Sequence, residues 1–325
     1  MKFIILETKD PYMNLAIEEY LFSESEDDIF MLWQNDPCVV IGKNQNAYAE
    51  INREFVEKND IKIVRRITGG GAVYHDKGNV NYTFISSEKM TDGIDFAYFT
   101  SPIIEALSSL GLEAELSGRN DLLTNGKKFS GNAQHSKNGR TLHHGTLLFD
   151  SDLGVLSSAL HVDEEKLRSK AIKSTRSRVT NLRPLLASDF TVEEFISLVA
   201  DFVENKYSIQ RESAPSSDKI DALRERNASC EWIYPTRELI SSYSTVKKKR
   251  YPFGIVEVYL DMSNDTIRNI HVSGDFFGVK PVSQIEGALC GVSLDNVREK
   301  LGEMCVDECI YGMSADMLAD QILNN

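Results

Sequence analysis

The stretch IKIVRRITGGGAVYHDKGNVNYTFIS, residues 61–86, decides how the chain folds. IKIVRRI (61–67) reads as a strand, three glycines follow, and the chain returns at once in a second strand, NVNYTFIS (79–86). Outward from there, FMLWQ (30–34) and CVVIG (38–42) read as strands joined around Asn35-Asp36-Pro37. LLTNGKKFSGNAQ has the pattern of a hairpin turning at Asn125-Gly126, and RTLHHGTLLFD that of a buried strand. Such tight connections favour an α+β fold with antiparallel or mixed sheets over a doubly wound parallel one.

Helices fill the intervals. Asp10-Pro11 marks an N-cap and a first helical residue, opening a helix through about Phe22, and REFVEKN and residues 97–110 read as two more. Thr191-x-x-Glu194 is a capping box ahead of the helically spaced Phe195, Leu198, Val199, Phe202 and Val203. A polar, basic stretch, STVKKKRYPFG (244–254), suggests a boundary, giving expected domains 1–246 and 247–325. The second begins with a hairpin, GIVEVYLDM to TIRNIHVSGDFFG, and continues in helical stretches near 283–303 and 314–323.

Length and composition set the outer limits. The 325 residues carry a net charge of −13 with 42% hydrophobic content, ordinary for a globular chain and unlike a disordered one. No apolar run approaches the ~20 residues of a membrane span, and the start lacks a targeting pattern. Cys38, Cys230, Cys290, Cys305 and Cys309 form no CxxC pair, so a cytoplasmic protein without disulfides is expected. Cys38 reads as a core strand residue, not a nucleophile.

Charge is segregated. Residues 61–77 carry +3, 118–140 carry +4 and 166–183 carry +7, leaving −27 elsewhere. Three basic segments in an acidic chain point to a local anionic ligand. The run KLRSKAIKSTRSRVTNLR has no aromatic to stack a base, which argues against nucleic acid, as does the acidic balance.

RITGGGAVYHD carries the first site signal. Three consecutive glycines are costly as ordinary structure, yet suit backbone N–H groups that must approach an anion closely. The spacing fits neither a Walker loop nor G-x-G-x-x-G, since Tyr74 takes the third glycine's place. Arg66 is positioned to fork onto phosphate oxygens. The second signal is GRNDLLTNGKKFSGNAQ (118–134), where Lys128 beside Ser130-Gly131-Asn132 can hold two anions that otherwise repel. Asp121 is the carboxylate for a nucleotide's Mg²⁺. His143 and His144 are adjacent on a strand, face opposite ways and cannot share a metal; the other histidines read as local hydrogen-bonding residues.

These residues closely resemble the lipoate–protein ligase A family. The resemblance runs through DPYMNLAIEEYL, LWQNDPCVVIGKNQNAYAEIN, VRRITGGGAVYHDKGNVNYTF, GRNDLL, KKFSGNAQ, HHGTLLFD and IKSTRSRVTNL, then YPFGIVEVYLD and SGDFFG. It implies a biotin/lipoate ligase-type large domain with mixed sheets and a small α+β C-terminal accessory domain. Carried over by position, it implies ATP contacts at Arg66, Gly71, Ala72, Val73, Tyr74 and Lys128, and lipoate or lipoyl-AMP contacts at Gly70, Gly71, Lys128 and His144. Lys128 is the implied catalytic residue, Asn120 and Asp121 lie near the nucleotide, and 166–183 forms a loop around the adenylate. One departure is Ala171, where many members have glycine. The implied reaction makes lipoyl-AMP and pyrophosphate from lipoate and MgATP, then passes the lipoyl group to a lysine of an acceptor. Implied acceptors are lipoyl domains of 2-oxoacid dehydrogenase E2 subunits or the glycine-cleavage H protein, with the ligase as a monomer. An octanoyl or lipoyl transferase of the same fold is the nearest alternative, and a noncatalytic nucleotide- or RNA-binding protein the more distant one.

Overall fold

A computed structural model describes residues 1–87, 94–160, 178–235 and 243–324. Its main sheet has eight strands in the order β11-β1-β2-β6-β10-β9-β8-β7. In chain order these are β1 (Lys2–Ile5), β2 (Ile29–Trp33), β6 (Asn79–Ser86), β7 (Glu115–Ser117), β8 (Asp121–Thr124), β9 (Lys127–Lys137), β10 (Arg140–Leu148) and β11 (Arg211–Glu212). β1 runs parallel to β2 and β11, while β2/β6, β6/β10, β10/β9, β9/β8 and β8/β7 are antiparallel. The sheet is therefore mixed, as the tight connections require.

β2 is buried along its whole length because both faces are covered. Phe30 and Leu32 join Tyr82, Phe84 and Leu147 beneath the helices Phe96–Ser109 and Val192–Tyr207. Ile29, Met31 and Trp33 alternate to the other face, against Leu15, Ala16 and Leu21 of the helix Pro11–Glu24. On that second face lies a small sheet, β4-β3-β5, from β3 (Cys38–Ile41), β4 (Lys62–Arg65) and β5 (Val73–His75).

Local signals match the elements they foretold. The Asp10 carboxylate accepts from Tyr12 N at 3.3 Å. The capping box closes with Glu194 N donating to Thr191 Oγ1 at 3.2 Å and Thr191 N to Glu194 Oε2 at 2.7 Å. Asn125 and Gly126 take φ of 50° and 71°, the left-handed pair that a two-residue hairpin needs.

The C-terminal strands β12 (Thr245–Tyr251), β13 (Gly254–Ser263) and β14 (Thr266–Gly274) form an antiparallel sheet with its own core, including Val256, Val258, Phe276, Leu289, Leu301 and Leu318. The helical stretch expected over 283–303 is broken. Gly291, at φ 82°, follows the end of the first piece, and after a 3-10 turn at Leu294–Asn296 α-helix resumes at Val297–Gly302.

The two units meet at the glycines. Gly70 N donates to Phe276 O at 3.2 Å and Gly274 N to Asn44 O at 2.9 Å. The rings of Phe96 and Phe277 sit 5.4 Å apart, and the Arg119 guanidinium lies 4.5 Å from the Phe277 centroid.

Candidate active site

Between the main sheet and the β4-β3-β5 sheet lies a cavity of 540 Å³, a volume typical of a small-molecule site. Its wall has two chemistries. Arg119, Asp121, Lys128 and Arg178 line one part, with Asp275 of the C-terminal unit; Leu15, Trp33, Val40 and Val73 line another.

Lys128 is presented by a defect in the β8–β9 ladder. The register shifts between Leu122 and Leu123, and such a bulge re-aims the side chains beside it. Its Nζ lies 2.7 Å from Asp121 Oδ1, with both side chains about a third exposed. A Cβ on Gly131 would stand 3.1 Å from that Nζ, so the glycine leaves room for the amine. Asn120 is a staple: its Nδ2 donates to Asn132 O at 2.6 Å, and its carbonyl accepts from Asn132 N at 2.9 Å and Nδ2 at 3.0 Å.

The arginine before the glycines is not a free fork. Arg66 is buried and donates from Nη1 to Val40 O (3.1 Å), from Nη2 to Gly69 O (2.7 Å) and Gly71 O (2.8 Å), and from Nε to Thr68 Oγ1 (2.9 Å). Burial lowers its pKa to about 10. The side chain thus builds the glycine loop while lining the cavity. Arg65 is likewise spent on the carbonyls of Gly42, Lys43, Gln45, Trp232 and Ile233. Much of the positive charge of 61–77 is structural.

The three glycines have different reasons. A Cβ at Gly69 would stand 2.5 Å from Phe276 O, and one at Gly70 (φ 90°) 2.9 Å from the Phe277 ring. These two admit the C-terminal unit, and the amide of Gly70, expected to serve lipoate, is taken by Phe276 O. Only Gly71 opens to the cavity, where a Cβ would meet nothing nearer than Asp275 Cβ at 3.9 Å. Ala72 and Val73 line the cavity with it. Tyr74 does not: alternation along β5 turns it away, to pack with Val39, Ile41 and Ala47. Its side chain thus lies outside the cavity wall.

His144 reaches the cavity through a buried chain of hydrogen bonds. Its Nδ1 lies 3.0 Å from Glu18 Oε1 and its Nε2 2.9 Å from Thr68 Oγ1, the same hydroxyl that accepts from Arg66. Glu18, 1% exposed, also accepts from Thr83 Oγ1 at 2.6 Å, and Thr83 in turn from Trp33 Nε1 at 2.9 Å. His143 faces the opposite side, stacked 5.1 Å from Phe99 and 5.9 Å from Tyr82. Cys38 is fully buried, and burial raises its thiol pKa, so it offers no thiolate nucleophile.

Sequence reasoning missed Glu18, Thr68, Arg119 and Asp275. Arg119 stood inside GRNDLL, and its buried Nη1 has no partner among the described residues. Of the basic segment 166–183, residues 166–177, Ala171 included, lie outside the described residues; Arg178 lines the cavity, whereas Arg183 pairs with Asp150 and Asp189.

Asp121 was expected to serve Mg²⁺. Among the described residues no three His, Cys, Asp or Glu side chains cluster to cage a metal. Magnesium is held by one or two carboxylates together with substrate phosphates, and a partly exposed aspartate at the cationic wall fits that habit.

Comparison with known proteins supplies the remaining evidence. Residues 10–204 match the model of the lipoyl protein ligase A/B catalytic domain, and 241–322 that of the bacterial lipoate protein ligase C-terminus. The chain is 42% identical over 292 residues to lipoate-protein ligase LplJ of Bacillus subtilis, covering 87% of each. It shares the fold of P. falciparum LipL1, solved in complex with lipoate, at a TM-score of 0.84 and 22% identity over 100% of this chain and 99% of that one. A lipoate-protein ligase A bound with ATP matches at a TM-score of 0.60 and 27% identity, covering 72% of this chain and 98% of that chain. The bipartite ligase of Thermoplasma acidophilum, described with its E2 lipoyl domain, matches at 0.63 and 29%, covering 72% and 95%.

Proposed function

Since the chain belongs to the lipoate–protein ligase family, we propose that its central cavity holds lipoate and ATP end to end, with Lys128 where they react. The activity is ATP-dependent lipoate–protein ligation, with ATP and lipoate as substrates and lipoyl-domain proteins as the acceptors of such ligases. The two-part cavity wall carries the site reading: cationic around Lys128 and Arg119, apolar around Leu15, Trp33 and Val40.

In the first step a carboxylate oxygen of lipoate attacks the α-phosphorus of ATP, and the bond to pyrophosphate breaks. Both reactants are anions, so they approach only where positive charge separates them. Lys128 is suited to this because its ion pair with Asp121 is partly exposed and exchanges partners at little cost. Arg119 adds a cation, and the amides around Gly71 add fixed dipoles. Mg²⁺ bound with ATP would neutralise phosphate charge, and Asp121 is the carboxylate that fits it. In the second step the neutral amine of an acceptor lysine attacks the acyl carbon, AMP leaves, and the amine gives up a proton. The mixed anhydride survives only if water is kept from the reacting end.

In this reading residues 1–246 are catalytic and 247–325 accessory, the protein acts as a cytoplasmic monomer, and the acceptor is an E2 lipoyl domain or an H protein. The free, unpaired cysteines suit a reducing compartment. The test is purified protein with MgATP, lipoate and each acceptor. Pyrophosphate release dependent on both small substrates, a lipoyl-AMP mass and one lipoyl added per acceptor are expected; no adenylate would refute the reading.

A further inference from the structure

Two buried N–H groups in the cavity wall have no task in the steps above. His75 is 3% and Asn81 1% exposed, and both line the cavity. Neighbours fix the orientation of His75. Asn14 Nδ2 donates to Asn35 Oδ1 at 2.9 Å, which turns Asn35 Nδ2 onto His75 Nδ1 at 3.1 Å. His75 Nδ1 is thus the acceptor, and the ring proton sits on Nε2. Burial, then the nearness of Arg66 and His144, lowers its pKa to about 3, so this neutral tautomer holds at working pH. Asn79 Nδ2 donates to Asn81 Oδ1 at 2.9 Å, and in this orientation Asn81 presents Nδ2 inward. Neither His75 Nε2 nor Asn81 Nδ2 has a hydrogen-bond partner among the described residues. Trp33 connects them: its ring meets that of His75 edge-on at 6.1 Å, and Asn81 is its cross-strand partner.

Their place in the fold separates them from the reacting end. β6 and β2, which carry Asn81 and Trp33, stand two and three strands inward of β9, which carries Lys128. At ~4.8 Å per strand that is ~10–14 Å across the sheet, a span for a medium-chain acyl group. We propose that His75 Nε2–H and Asn81 Nδ2–H read the far end of the acyl substrate, donating to the ring sulfurs of lipoate and so selecting it over chains that end in hydrocarbon. A hydrocarbon end packed there would strip both donors of water and return nothing, whereas a ring sulfur accepts, weakly, and also packs well against the Trp33 ring. Discrimination by a buried donor left unpaired is the stronger kind of specificity, and a weak acceptor scales it down to about tenfold.

This inference rests on the cavity being the lipoate site, and substrate analogues separate the two. Adenylate formation by the full chain would be measured with lipoate, octanoate and 5-cyclopentylpentanoate, in which carbon replaces both sulfurs. The expected kcat/KM favours lipoate over the cyclopentyl analogue by about tenfold, falling to about twofold in His75→Phe and Asn81→Leu and partly restored in His75→Gln, which keeps a donor. Equal use of lipoate and the cyclopentyl analogue by the wild type overturns the proposal without any variant. So does an unchanged ratio in folded His75→Phe and Asn81→Leu. Absence of adenylate from every acid would overturn the lipoate site and this reading together.

Discussion

Nζ of Lys128 lies 2.7 Å from Oδ1 of Asp121 at the cationic wall of the cavity. An exposed pair of this kind is worth less than ~1 kcal/mol, so its purpose is to hold the amine ready, not to stabilise the fold. Lys128→Ala is expected to cut lipoyl-AMP formation by about 10²–10³-fold, the scale of losing one transition-state donor, while the melting temperature stays nearly constant. Pyrophosphate release and a thermal melt check it; wild-type turnover would remove Lys128 from the reaction.

The three glycines should fail differently. Gly69→Ala forces a methyl to within 2.5 Å of the Phe276 carbonyl, which cannot yield without parting the two units. Gly71→Ala meets nothing closer than 3.9 Å. The first is expected to lower the melting temperature by several degrees and to reduce adenylation with it. The second should leave stability unchanged and raise the KM for ATP or lipoate by crowding the cavity. Equal melting temperatures for the two variants would contradict the packing described.

What could be read in advance follows from range. NVNYTFIS (79–86) matches β6 residue for residue, and the Asn125-Gly126 turn and the Thr191 capping box were legible because each is settled within a few residues. Lys128, Gly71 and Asp121, which line the cavity, stood out for the same reason, as members of dense local motifs. Missed features depend on partners far along the chain: Glu18 on His144, Gly69 on Phe276, Arg119 on Asp275. One clue was overlooked. Asn79, Asn81 and Thr83 alternate as polar residues along a strand buried on both faces, and polar groups are buried only where something bonds to them. The outward turn of Tyr74 was hidden because the alternation of β5 begins only at Val73, inside the glycine motif.

Glu18 holds His144, and His144 holds the hydroxyl that steadies Arg66. Glu18→Ala leaves a ring N–H and the Thr83 hydroxyl without an acceptor in the core, an expected cost of about 2–4 kcal/mol. Glu18→Gln keeps one acceptor oxygen and should lose about half as much. Urea denaturation compares them, and adenylation at saturating lipoate reports whether the glycine loop has loosened. Equal stability of both variants and wild type would mean that the buried chain carries no strength.

Glu50 makes stability depend on pH. It ends the short helix Ala47–Glu50, and desolvation, followed by the charges of Asp275 and Glu257, raises its pKa from 4.5 to about 7, with Lys248 opposing. The unfolded chain releases this proton above about pH 4.5, while the folded protein keeps it until about 7. Through that window the folded state binds more protons, so stability falls as pH rises and levels off above pH 7. The full shift would be worth about 3 kcal/mol, and partial exposure of the side chain reduces it to about 2 kcal/mol. Glu50→Gln removes the titration, so it should match wild type near pH 4.5 and exceed it by about 2 kcal/mol at pH 8. Urea midpoints at the two pH values decide the matter: a gain of equal size at both would show that packing, not the proton, sets the difference.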